Sequence, residues 1–338
     1  MGAVIYIVIS SLAIAAFIVV FLYQQIFLVP MPFYQRVLFF IILTGIITTS
    51  AYIRLQFIEE NTMEARVLRP IASPVQRSIE VIESVQNSNS KEIEKIVLSY
   101  TQKEKGQYSV VIKNLKTGEY YNLNEKEVYA SASLYKLWTM ATVFQKIEDG
   151  KLTLDKPISA DIAMLNKTFD LGEDAELSEG TIKSTVEDAV EQMITISHNY
   201  SALLLTYIIK NSSVKQFLVD NQFSNSKTGT PPTTTAADIA KFYEKLYKGE
   251  LVTPQLSTQM LEILKRQKLN DRIPKYLPEG TVVAHKTGEL GEAKHNAGIV
   301  FSKKGDYIIV MMSKTPAPLN AAEVEAKISK AIWDYFNK

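Results

Sequence analysis

The sequence predicts an α+β fold, one sheet packed by helices, preceded by two transmembrane helices. Three observations lead there. No Asp, Glu, Lys or Arg precedes Arg36, and two apolar runs fill most of the first 53 residues. Strand-like runs lie at both ends of the region from Lys91 to Lys338. Between them, apolar residues recur with a helical period.

The first apolar run, Ala3 to Tyr23, matches the roughly 20 residues a spanning helix needs. The second, Val37 to Ile53, holds 17 residues between Arg36 and Arg54, near the lower limit for a span. A buried core helix is the bland alternative, and two such runs in succession weigh against it. A cleaved signal peptide lacks its basic leading segment and small-residue cleavage pattern here. Residues 1–54 are therefore expected to be a two-span membrane anchor, with membrane lipid as a partner. Arg36 in the short connection favours placing that connection inside, while Arg54, Arg66 and Arg69 pull the other way.

Residues 55–90 read as a juxtamembrane stalk and linker. Val75, Ile79, Ile82 and Val85 share a helical face, and the polar run "QNSNS" follows, with Asn89 and Glu92 placed to cap a helix. Residues 91–338 form the expected main domain. Ile93, Ile96, Val97 and Tyr100 recur at helical spacing, then "YSVVIKNLKTGEYYNLN" reads as a hairpin turning at Thr117-Gly118. A mainly helical stretch is expected from Ser131 to about Lys265. "NAGIVFS" and "DYIIVMMS" read as late strands, and Val324, Ile328, Ile332 and Tyr335 mark a final helix.

Composition excludes several classes of function. Lys plus Arg total 37 against 36 for Asp plus Glu, so no net field points to nucleic acid. The absence of cysteine removes disulfides, thiolate zinc sites and cysteine nucleophiles. The three histidines lack close ligand spacing, His285 and His295 are expected in loops, and no metal or cofactor is implied.

The chemistry-bearing residues form three groups. In "SASLYKLW", Ser133 and Lys136 sit three apart at the start of an apolar helix. A serine hydroxyl needs a base to become a nucleophile, and a lysine one turn away serves if burial depresses its pKa. The pattern alone is cheap, since "SNSK" at 224–227 repeats it. "TISHNYSALLL" offers Ser197 and Asn199 between two helices, otherwise read as a helix cap. "AHKTGEL" offers Lys286, Thr287 and Gly288, and K-T-G also occurs at 116–118 and 227–229. Only the third copy leads into strand-forming sequence.

Their order is more informative than any one of them. S-x-x-K, S-x-N 64 residues on and K-T-G a further 89 on resemble the motif set of the class A β-lactamases, penicillin-recognising serine hydrolases. The stretches "TGEYYNLNEKEVYASASLYKLW", "VEQMITISHNYSALLL", "TTTAADIAKFYEKL" and "VVAHKTGE" carry the resemblance along residues 91–338. It implies a β-lactamase/D,D-peptidase-like sheet packed by helices, with Ser133 as nucleophile and Lys136 as its base. Ser197 would relay a proton, Asn199 would hold the substrate amide, and Lys286 and Thr287 a carboxylate. The backbone N–H groups of Ser133 and Glu289 would form the oxyanion hole.

Two departures from the family stand out. His198 replaces the usual aspartate of S-D-N. The family's Ω-loop glutamate, which activates the deacylating water, has no counterpart between Glu191 and Glu244. Asp220 is the sole acid from Tyr200 to Ala237, and the loop "NQFSNSKTGTPPT" is short. Three readings follow: a β-lactamase deacylating through Lys136, Asp220 or His285; a D,D-carboxypeptidase or endopeptidase acting on peptidoglycan stem peptides; or an acylated β-lactam-binding receptor. The short first connection leaves the receptor no cytoplasmic output domain. β-Lactams or D-Ala-D-Ala-type peptides are the expected substrates, and their location outside the cell favours an extracytoplasmic catalytic domain.

Overall fold

The structure is a computed structural model that describes residues 91–338, all within one compact unit. The two expected spans, the stalk and the Asn89 cap lie outside the described residues. Among the described residues no helix is long and apolar enough to cross a membrane.

Helix α1 (residues 91–101) leads into β1 (Gln107–Asn114) and β2 (Tyr120–Leu123), the hairpin expected around Thr117-Gly118. Near the end of the chain come β7 (Val283–Leu290), β8 (Ala293–Val300), β9 (Tyr307–Lys314) and helix α9 (Pro318–Phe336). The five strands form one antiparallel sheet in the order β2-β1-β9-β8-β7. Both ends of the domain thus build a single sheet, as the pattern predicts.

The middle is less purely helical than its periodicity suggests. Its helices are α2 (Tyr135–Glu148), α3 (Ile162–Thr168), α4 (Val186–Thr195), α5 (Asn199–Ile209), α6 (Asn211–Asp220), α7 (Ala236–Tyr247) and α8 (Pro254–Lys265). Two short ribbons interrupt them: β3 (Val128–Ala130) pairs with β6 (Thr233–Thr235), and β4 (Pro157–Asp161) with β5 (Thr181–Thr185). Strands of three to five residues are too short for a period of two to stand out.

Both faces of the large sheet are covered. Along β9, Ile308, Val310 and Met312 pack into one core with α2, α4, α5 and α7, whereas Ile309 and Met311 join a second core with Ile93 and Val97 of α1 and Val324, Ile328 and Ile332 of α9. This double burial explains why "IIVMM" is continuously apolar. It also sorts β7 by parity: Ala284 faces the helical core and Val283 the α1–α9 core.

The histidines depart from their expected loops. His285 lies in β7 and His295 in β8, both buried. His295 Nε2 donates to the Ala130 carbonyl while its Nδ1 accepts from Ser313 N–H, and burial pushes its pKa down to about 4. His285 sits between the side-chain amides of Asn270 and Asn296, and burial pushes it down to about 3. A neutral ring donates from one nitrogen and accepts at the other: Nε2 donates to Asn270 Oδ1, and turning the Asn296 amide over lets its otherwise unbonded Nδ2 donate to Nδ1. Both are structural histidines, and His285 is no candidate base for deacylation.

Candidate active site

Ser133 lies in a 3-10 turn (Ala132–Leu134) that runs directly into α2, rather than in the helix itself. Ala132, just before it, has φ +45°, a left-handed conformation rarely adopted by residues with a side chain. The turn is wedged against β7, the edge strand of the sheet. A Cβ on Gly288 would meet the Ser131 carbonyl oxygen at 3.2 Å and Ala132 Cβ and Leu134 Cγ at 3.3 Å. The glycine of this K-T-G is therefore explained by close approach to the turn. The copies at 116–118 and 227–229 have no such role: Lys116 to Gly118 turn a hairpin, and Gly229 lies beside Pro231.

Lys136, on the first turn of α2, is completely buried. Its Nζ donates to the Ser197 carbonyl (2.6 Å) and to Asn199 Oδ1 (2.7 Å), and lies 3.2 Å from Ser197 Oγ. Burial drives its pKa down to about 7, with the Glu176 carboxylate partly opposing the fall. Lys136 is thus not a solvent-facing helix residue, as an incidental S-x-x-K would allow.

Ser197 joins α4 to α5 with φ +59°, and His198 caps α5 by accepting from Ser201 N–H through Nδ1 (3.1 Å). The alternative reading made Ser197 and Asn199 the cap; the cap is His198 instead, which leaves the Ser197 and Asn199 side chains to the site. From β7, Lys286 reaches the same place: its Nζ donates to Ser197 Oγ (2.9 Å) and to the Thr287 carbonyl (2.9 Å). It too is fully buried, and burial, then Lys136, then Arg272 hold its pKa well below the ordinary lysine value. Ser197 Oγ thus sits between two buried amines. When Lys136 is neutral, the hydroxyl can accept from Lys286 and donate to Lys136, a proton path needing no water.

Of the sequence-predicted residues, Lys136, Ser197, Asn199 and Lys286 are joined by these hydrogen bonds, Gly288 lies against the turn that carries Ser133, and, among the described residues, Ser133 Oγ makes no hydrogen bond to the cluster. Thr287 is buried beside them in β7, paired with Asn296. Glu289 contributes its backbone position only; its side chain accepts from Arg272 and from Lys294 Nζ (2.9 Å). Two further charged residues had no motif to mark them. Arg272, fully buried, braces β8 by donating to the His295 carbonyl (3.3 Å) and lowers the Lys286 pKa. Glu176, from the loop between α3 and β5, accepts a hydrogen bond from Asn199 Nδ2. Its only sequence signal is an acidic stretch, 168–182, devoid of lysine and arginine.

Asp220, the other candidate base, lies at the end of α6 and accepts from Gln216 Nε2 (2.7 Å). The short loop after it packs beside a cavity of about 740 Å³ whose lining includes Tyr135, Trp138, Tyr207 and Pro231 and excludes Ser133, Lys136 and Ser197. Among the described residues no group of acidic or histidine side chains is arranged to hold a metal ion.

The family model of the beta-lactamase enzyme family matches residues 89–336. The chain belongs to the beta-lactamase enzyme family. Beta-lactamase VEB-1 of Pseudomonas aeruginosa is 24% identical over 252 residues, covering 64% of this chain and 83% of that protein. Among solved structures, a beta-lactamase from Sphaerobacter thermophilus superposes with a TM-score of 0.64 at 21% identity, covering 72% of this chain and 97% of its own. A PBP-A variant, solved as its acyl-enzyme with penicillin G, gives 0.64 at 22% identity, covering 72% and 96%. These likenesses establish the α+β β-lactamase-like fold. With the family match, the chain is a serine β-lactamase-type hydrolase.

Proposed function

We propose that this member of the family is a membrane-anchored hydrolase whose Ser133 is acylated by β-lactams, with the domain from residue 91 onward outside the cell and residues 1–54 as its two-span anchor. The observation that carries the reading is the convergence of two buried, pKa-depressed lysines on Ser197 Oγ, with Lys136 one turn from Ser133. Neutral Lys136 takes the Ser133 proton as Oγ attacks the amide carbonyl carbon. The Ser133 and Glu289 N–H groups receive the developing oxyanion. As the C–N bond breaks, a proton passes through Ser197 to the leaving nitrogen, giving an ester and a free amine. Asn199 holds the acyl amide, and Lys286 with Thr287 binds the carboxylate, with Gly288 giving access to the turn.

β-Lactam hydrolysis is then slow at its second step, because no carboxylate from the short loop activates water and Asp220 points to Gln216. That absence also favours a second reading, a D,D-peptidase of peptidoglycan stem peptides for which penicillin is a slowly released inhibitor. The fold shared with a PBP-A variant that was solved as its acyl-enzyme with penicillin G supports acylation by penicillin under either reading. The test is to incubate the full-length protein in detergent with a chromogenic β-lactam and weigh it intact. A persistent adduct of one β-lactam, absent from Ser133→Ala, is expected; undiminished labelling of that variant places the nucleophile elsewhere.

A further inference from the structure

Among the described residues Glu176 is the carboxylate hydrogen-bonded to the Lys136–Ser197–Asn199 cluster, and several contacts place it. Leu177, the next residue, is clamped from both sides of its peptide unit. Its N–H donates to the Tyr200 hydroxyl (3.0 Å), and its carbonyl accepts from that hydroxyl (2.8 Å) and from Asn166 Nδ2 (2.7 Å). The hydroxyl also approaches Asn166 Oδ1 (2.9 Å), tying the clamp to α3. Tyr200 is buried and directly follows Asn199 on α5, so the clamp is anchored one residue from the Asn199 amide. Glu176 itself is exposed, with Oε1 on Asn199 Nδ2, while Asn199 Oδ1 accepts from Lys136.

Asn199 Nδ2 is the donor that, on the function proposed above, takes the carbonyl of the substrate's acyl amide. It has two hydrogens, and a bound carbonyl leaves the carboxylate alongside. In an amino-acid amide the carbonyl oxygen and the α-nitrogen are about 3 Å apart, three bonds along the chain. A cationic group on that α-carbon therefore falls within ion-pair range of Glu176, and an anionic one meets it head on. Asp170, Glu173, Asp174 and Glu179 on the same loop add negative potential, and no basic residue of that loop offsets it.

We propose that Glu176 is a specificity-determining residue of this hydrolase: it selects acyl donors bearing an ammonium beside the amide carbonyl held by Asn199 and disfavours those bearing a carboxylate there. The assignment rests on the serine-hydrolase reading of the site. Glu176 acts on the side chain of the donor.

The test uses three penicillins that share a nucleus and a phenylacetyl side chain, with an α-amino group, no substituent, or an α-carboxylate. Second-order acylation rates are measured for the full-length protein in detergent at low salt. The expected order is amino, then unsubstituted, then carboxylate, each step about fivefold, as for a solvent-exposed charge pair, and compressed in high salt. Glu176→Gln should bring the three rates within about twofold of one another, and Glu176→Lys should reverse the order. Ratios are used because removing the carboxylate also shifts Lys136, an effect common to all three substrates. An unchanged order in Glu176→Gln overturns the proposal. So does an equal rise for all three substrates, which would make Glu176 a simple blocker of Asn199. Failure of every penicillin to acylate the native protein refutes the serine-hydrolase reading, and this assignment falls with it.

Discussion

The pH dependence of acylation is the most direct probe of the Ser-Lys machinery. Lys136 must be neutral to take the Ser133 proton, and its burial among Ser197, Asn199 and the α2 core lowers its pKa to about 7. With a single titrating base, the rate follows the neutral fraction: about a tenth of the plateau one unit below the pKa, about half at it, and about nine-tenths one unit above. Labelling by a fluorescent penicillin should therefore rise close to tenfold per pH unit from about 5 to 6.5 and level off above about 8. The direction matters. A lysine left in water would keep the rate climbing towards pH 10. The assay is the pseudo-first-order rate of covalent labelling of the full-length protein from pH 5 to 10, with Lys136→Ala measured at the plateau. That variant should fall by about 10² or more. A rate flat from pH 5 to 9, or one still rising at pH 10, would refute Lys136 as the base.

The same burial fixes a sign for stability: the unfolded lysine binds its proton up to about pH 10 while the folded one releases it near 7. This lysine therefore contributes rising stability as pH increases through that window. Gly288→Ala places a methyl at 3.2–3.3 Å from the nucleophile turn. Acylation should drop about tenfold to a hundredfold while far-ultraviolet circular dichroism stays native, because a displacement of a few tenths of an ångström matters to attack geometry before it matters to folding. Asp220→Asn should leave steady-state turnover of penicillins within about twofold, since Asp220 is engaged with Gln216; trapping of the acyl-enzyme in that variant would make Asp220 the deacylating base. Glu325 is buried on α9 with neither carboxylate oxygen hydrogen-bonded, and burial, opposed by Arg272 and Lys294, raises its pKa well above the ordinary value. Folded, it keeps its proton to higher pH than unfolded, so the native protein loses stability as pH rises above about 4.5, where the unfolded carboxyl ionises. Glu325→Gln should remove that loss and raise the urea midpoint at pH 8 relative to the native chain; a lower midpoint would show that the ionised carboxylate is worth its burial to Arg272.

What could be read from the chain alone was whatever is encoded locally. The hairpin at Thr117-Gly118, the late strands and the final helix carry their own periodicity, and Ser133 with Lys136 share a helical turn by spacing. Strand-forming sequence after it singled out one K-T-G from three, and the order of the three motifs carried the resemblance that implied the fold. Residues without a local signature stayed hidden. Glu176 lies 21 positions before Ser197 in a loop with no motif, and only the Leu177–Tyr200 clamp brings it to Asn199. His285 and His295 sat in stretches whose polar content suggested loops, yet partners on other segments satisfy each ring inside the sheet.

The sequence by itself determined which residue types are available and in what order: a hydroxyl and amine one turn apart, a second hydroxyl with an amide, and an amine on a strand. It also determined that the loop after Asp220 holds no glutamate. The tertiary structure decided the electrostatics. Lys136 and Lys286 are 150 residues apart, and only the packing of β7 against the nucleophile turn and the α4–α5 junction brings both amines to Ser197 Oγ. Desolvation depends on everything that surrounds a group in three dimensions, so no window of sequence could show that these two lysines give up their protons far more readily than lysines in water.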